Sequence, residues 1–123
     1  ESLTAETVAR VRSSWQQYPE RYETLFDQIG TLTQSARTAL QGGQLQELGE
    51  LMNLCHGYLN ALQMSTPKLE DLVHIARSNG AVGAKLTGGG GGGSMVALCP
   101  DSSERVSNAM QAAGYKTLSV TLD

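Results

Sequence analysis

The chain is 123 residues long, one domain's worth of protein, and its 40% apolar and 17% charged residues are the balance of a soluble globular fold. A net charge of −3, with nine basic residues scattered along the chain, excludes a nucleic-acid surface built on phosphate neutralisation; one Phe and one Trp leave few platforms for stacked bases. No apolar run approaches the roughly 20 residues of a membrane-spanning helix, and no basic then apolar leader opens the chain.

Glu1 stands where an initiator methionine would, which points to a cut or designed start. Thr4 then offers an N-cap for a helix with Val8, Val11, Trp15 and Tyr18 on one face. Pro19, with no N–H to donate, breaks or bends that path. A second helix carries Tyr22, Leu25, Phe26, Ile29, Leu32 and Ala36, and Gly42 with Gly43 end it. The third has the most regular apolar pattern: Leu45, Leu48, Leu51, Met52, Cys55, Tyr58, Leu59 and Leu62. Thr66 before Pro67 is a cap followed by proline at the first helical position; this fourth helix shows Leu69, Leu72, Val73 and Ala76 and stops at Asn79 and Gly80. Cys55 and Cys99 have no metal-type spacing and sit beside leucines, so they read as buried free thiols in a reducing compartment, with a disulfide left open.

Beyond Gly80 the pattern changes. Residues 81–87 and the apolar run 94–99 are of strand length, and the six glycines Gly88, Gly89, Gly90, Gly91, Gly92 and Gly93 lie between them. Pro100 closes the second run; Asp101 and Glu104 form a capping-box-like start for a last helix through Val106, Ala109, Met110 and Ala113. Residues 115–122 alternate as a strand, with Leu118, Val120 and Leu122 on one side.

Six consecutive glycines read as a linker or as a loop inside a fold. One strand, one helix and one strand bury too little to stand alone after Ser94, so the glycines belong inside a fold. There, backbone without Cβ atoms can approach a ligand closely, and successive N–H groups can converge on an anion. The same loop can instead pack against another loop that does the cradling. Neither the dinucleotide-binding nor the P-loop pattern is present, since no G-K-[ST] closes the run. Any phosphate handled here would therefore meet mainly backbone N–H groups.

The stretch from Gly83 through Ala84, Lys85, Leu86 and Thr87 into the glycines is similar to the third signature motif of mevalonate kinases, K-L-T-G-A-G-G-G-G, within the GHMP small-molecule kinase family. Met52, Asn53, His56, Leu59, Leu62, Ser65, Thr66, Pro67, Leu69, Glu70, Ala76, Arg77, Gly80 and Ala81 resemble the helix pair that leads into it. Thr4, Val8, Ala9, Val11 and Arg12 resemble the helix that opens the family's C-terminal region. Gly89 stands where alanine is usual and Ser94 where cysteine is common; both are small, so the loop geometry should survive.

The resemblance implies that residues 1–123 are the C-terminal domain of a longer two-domain kinase. Its fold class would be α+β: a ferredoxin-like domain with extra helices, lacking its first strand. That strand lies in mid-sheet, so either residues 94–99 and 115–122 pair directly or another chain supplies it. The implied reaction carries the γ-phosphoryl group of ATP to the 5-hydroxyl of mevalonate, in the cytoplasm, for isoprenoid precursor synthesis. ATP and Mg2+ would be bound mainly by the N-terminal kinase domain, which also holds the catalytic base, so this chain alone would be inactive and carries no catalytic or metal residue. Gly88–Gly93 would lie beside the phosphates, and Thr87 and Thr4 would face mevalonate. Each threonine also has a plainer reading, as a strand-end hydrogen bond and as an N-cap. Lys85 reads as a solvated strand lysine or an anion contact, and His56 and His74 as packed or surface histidines. The partners implied are mevalonate and the N-terminal domain, with room for a homodimer and none for nucleic acid or membrane. Two alternatives stay open: a non-catalytic helical dimerisation or interaction module, and another GHMP small-molecule kinase.

Overall fold

Pro19 sets the first boundary of the computed structural model, which describes residues 2–87 and 93–121, with side chains from residue 5 onward. It takes the first position of helix α2 (Pro19–Gln41), directly after α1 (Ser2–Gln17). The Tyr18 N–H still donates to Ser14 O at 2.8 Å, so the path bends without a long loop. Helix α1 already runs from Ser2, which puts Thr4 inside its first turn rather than ahead of it as an N-cap. Gly43, at φ 68°, turns the chain into α3 (Leu45–Ala61). Thr66 caps α4 (Pro67–Ser78), its hydroxyl accepting from the Leu69 N–H at 3.2 Å.

Strands β1 (Gly83–Leu86) and β2 (Met95–Leu98) pair antiparallel, with Ala84 opposite Ala97 and Leu86 opposite Met95. Helix α5 (Ser103–Ala112) follows. Its N-cap is Ser102, with no side-chain cap bond, so Glu104 sits one position too early for the capping box expected of Asp101. Leu69, Leu72, Val73 and Ala76 of α4 meet Ala84 and Leu86 of β1 and Val106 and Met110 of α5 in one buried cluster. Helix-spaced and strand-spaced apolar residues thus close a single core between the hairpin and two helices.

Two expectations are corrected. Residues 115–121 form no strand, and β2 pairs with β1 rather than with them. Alternation of apolar and polar residues is a preference and does not by itself make a strand. This segment is tied to α5 instead: Tyr115 N–H donates to Met110 O, and the Thr117 hydroxyl meets Ser107 Oγ at 2.8 Å and Gln111 Nε2 at 2.9 Å. Leu118 and Val120 are left 88% and 76% exposed; Leu122 lies outside the described residues. The α1 stripe is also only half covered, with Val8, Trp15 and Tyr18 exposed, although Trp15 packs edge-on against Phe26 of α2. Cys55 is buried and Cys99 partly buried, both as free thiols, and burial raises the pKa of Cys99.

Candidate functional site: the root of the glycine segment

The glycine segment leaves the sheet where β1 ends and returns where β2 begins. Its two roots are fastened together. Thr87 N–H donates to Ser94 O at 2.9 Å, the Thr87 hydroxyl donates to the same carbonyl at 3.2 Å, and Thr87 Oγ1 and Ser94 Oγ stand 3.0 Å apart. Gly93 is exposed; Gly88, Gly89, Gly90, Gly91 and Gly92 lie outside the described residues, as does the side chain of Thr4. Thr87 therefore keeps the strand-end hydrogen bond as its described role. Lys85 turns its ammonium to the carbonyl of Leu86 at 2.8 Å.

Among the described residues, the edge of β1 away from β2 has no strand beside it. Side chains of α3 and α4 take its polar groups instead. Asn53 Oδ1 accepts from Ala84 N–H at 3.0 Å, and its amide donates to Val82 O at 3.4 Å. Arg77 donates to Ala84 O and, through Nε, to Asn53 Oδ1, both at 3.0 Å. Two residues along, Leu86 N–H donates to His56 Nδ1 at 3.1 Å. Alternate residues of a strand point their N–H groups to the same edge, and residues three apart on a helix share a face, so Asn53 and His56 match Ala84 and Leu86 in step. The approach is possible because α3 and β1 touch through glycine: a Cβ on Gly49 would strike the Val82 carbonyl.

His56 is 3% exposed. Because a backbone N–H can only donate, Nδ1 must be unprotonated, which leaves the proton on Nε2. Nε2 donates to Glu70 Oε2 at 2.7 Å, and the Ser65 hydroxyl donates to the same oxygen. Burial works to raise the Glu70 pKa, but the bonds from Ser65 and His56 and the nearby Arg77 charge outweigh it, so the carboxyl lies below its ordinary value. His74, by contrast, is exposed, with Ser78 Oγ 3.4 Å from Nε2.

Sequence reasoning placed Asn53, His56, Glu70 and Arg77 only by resemblance, with His56 read as a packed or surface histidine. The signal for more was two polar residues, three apart, set into the apolar run of α3 between Met52 and Leu59.

The family model described as GHMP kinases C terminal matches residues 36–116, more than half the chain. The mevalonate kinase of Pyrococcus horikoshii is 45% identical over 116 residues, covering 90% of this chain and 35% of its own. That of Methanothermobacter thermautotrophicus is 38% identical, covering 87% of this chain and 35% of its own. Among solved structures, L. major mevalonate kinase in complex with R-mevalonate matches with a TM-score of 0.80 and 38% identity, over 89% of this chain and 34% of that one. Methanococcus jannaschii mevalonate kinase matches with a TM-score of 0.70 and 31% identity, over 89% of this chain and 32% of that one. The chain thus spans about a third of the length of these relatives. Galactokinase from Lactococcus lactis, at 22% identity and a TM-score of 0.66, shares the fold. The chain belongs to the GHMP kinase C-terminal family.

Proposed function

We propose that this chain is the C-terminal part of an ATP-dependent mevalonate kinase, working in the cytoplasm beside an N-terminal kinase domain. In the reaction the mevalonate 5-hydroxyl oxygen forms a bond to the γ-phosphorus, the bond from that phosphorus to the bridging oxygen of ADP breaks, and the hydroxyl proton leaves to a base outside this chain. Phosphoryl transfer rests mostly on positioning and on stabilising charge on the phosphoryl oxygens. Residues 88–93 would lend backbone N–H groups to that charge, and Thr87 and Thr4 would turn toward mevalonate.

The observation that carries this reading is the glycine segment rooted between Thr87 and Ser94 at the end of a hairpin, in a chain whose relatives are named mevalonate kinases. The residues at the root suit a phosphate neighbour: two small hydroxyls, glycine, and no carboxylate bonded to them. They do not suit Mg2+. Among the described residues no group of three His, Cys, Asp or Glu could hold a metal, so Mg2+ would take its ligands from the other domain and from ATP.

The test is ADP release by the full-length protein containing this chain, with mevalonate, galactose and homoserine offered in turn. Mevalonate-dependent ADP release, absent from the isolated chain and restored when the N-terminal part is added back, supports the reading. Release with another of these alcohols instead would make it a different GHMP kinase. No release with any, together with self-association of the chain, would make it a helical interaction module.

A further inference from the structure

We infer that His56 is a positioning residue for the end of β1, and that its unprotonated Nδ1, held in that form through Glu70 and Ser65, fixes Leu86 and with it Thr87, which the proposed function turns toward mevalonate. The inference rests on the phosphoryl-transfer reading and deepens it.

Leu86 is the last strand residue before the glycine segment, 1% exposed, and its N–H faces away from β2. Among the described residues, Thr87 beyond it is bonded toward Ser94, on the hairpin side. On the opposite edge His56 Nδ1 is the acceptor that holds the chain just before the glycines. Thr87 follows Leu86 directly in the chain, so its place depends on how Leu86 is held. A displacement of about 1 Å at a positioning group can cost on the order of a hundredfold in rate.

Asn53 shows that an amide suffices to accept from a strand N–H, as it does for Ala84. Position 56 asks for more, because one side chain must bridge three elements. Nδ1 meets β1, Nε2 meets Glu70 of α4, and Glu70 in turn takes the hydroxyl of Ser65 from the turn between α3 and α4. The carboxylate accepts from Nε2–H and so keeps the lone pair on Nδ1. Reversing the ring's tautomer would set two N–H donors against each other at Leu86. A histidine that served packing alone would have no use for this polarity.

The two halves of the imidazole can be separated by substitution. In His56→Asn the amide oxygen falls near the place of Nδ1, keeping the Leu86 bond and losing Glu70. In His56→Gln the amide falls near the place of Nε2, keeping Glu70 and losing Leu86. Two measurements on the full-length protein follow: amide hydrogen exchange at Leu86, and kcat and KM with ATP and mevalonate. His56→Gln should exchange at Leu86 roughly tenfold faster than His56→Asn, as expected for one lost hydrogen bond. It should also lose roughly tenfold or more in kcat with stability matched to His56→Asn. Equal exchange and equal kcat in the two variants would overturn the inference, as would a kcat that follows thermal stability alone. Faster exchange in His56→Gln with unchanged kcat would also overturn it, leaving His56 an anchor of β1 with no part in the reaction. If the unsubstituted protein transfers no phosphoryl group to mevalonate, the function reading fails; the exchange experiment then judges the anchoring of Leu86 separately.

Discussion

Gly49 of α3 and Gly83 of β1 meet backbone to backbone. A Cβ on Gly83 would lie 2.5 Å from both Cα and the carbonyl oxygen of Gly49. Gly49, Asn53 and His56 follow at spacings of four and three, so the face of α3 that lies against β1 is the face that carries its edge-binding side chains. Either Gly49→Ala or Gly83→Ala forces the two backbones apart. The expected loss is about 1–3 kcal/mol of stability, the usual cost of overpacking, read from urea or thermal unfolding. Amide exchange at Ala84 and Leu86 should accelerate in the same variants, because their acceptors move away with the helix.

Asn53→Ala removes the acceptor for Ala84 N–H and for Arg77 Nε together. Ala84 is 0% exposed, so its N–H is left without a partner and without water. The expected cost is about 1–3 kcal/mol. Asn53→Asp keeps the acceptor and loses only the long bond to Val82 O, so it should cost less. Chemical denaturation of the two variants side by side checks the order.

The Glu70 carboxyl makes stability depend on pH with a defined sign. Its folded pKa lies below the ordinary value of 4.5, so it contributes stability that is fully present above pH 4.5 and is lost as pH falls through the folded value. The stability gap between the parent and Glu70→Gln should therefore be constant above that pH and close below it. With 44% of the Glu70 side chain exposed, the gap is expected to be modest. Denaturation midpoints measured from neutral pH down to acid check it.

Leu118→Ser and Val120→Thr test the correction at the C-terminal segment. Both residues face solvent, so each substitution should change stability by less than about 0.5 kcal/mol. A strand buried in a sheet would lose several times as much.

The helices were legible because their signals are local. The break at Pro19, Pro67 at a first helical position, the Thr66 cap and the stop at Gly80 all act within one turn, and all stand where the residues implied. The two strands were legible for the same reason, as strand-length runs directly on both sides of the glycines, but their pairing was not, since 94–99 was expected beside 115–122 or a strand from another chain. Residues 115–121 were not, since alternation records a preference that the bonds of Tyr115 and Thr117 to α5 override. The site was half legible. Thr87 and the glycines stand out in the sequence, whereas His56 gains its role only from Leu86 and Glu70, 30 and 14 residues away. That polarity belongs to tertiary contacts, and no local pattern announces it.

The side-chain cover on β1 also makes this a sheet with one closed side. Among the described residues the other edge of β2 has no backbone partner, while Asn53, Arg77 and His56 occupy the free groups of β1. A ribbon open at both edges can recruit copy after copy and grow into a fibre. One that is blocked at β1 can pair only at β2, so two copies joined through their β2 edges would leave no free edge for a third. The bonds to Ala84 and Leu86 thus leave this sheet a single edge along which it can be extended.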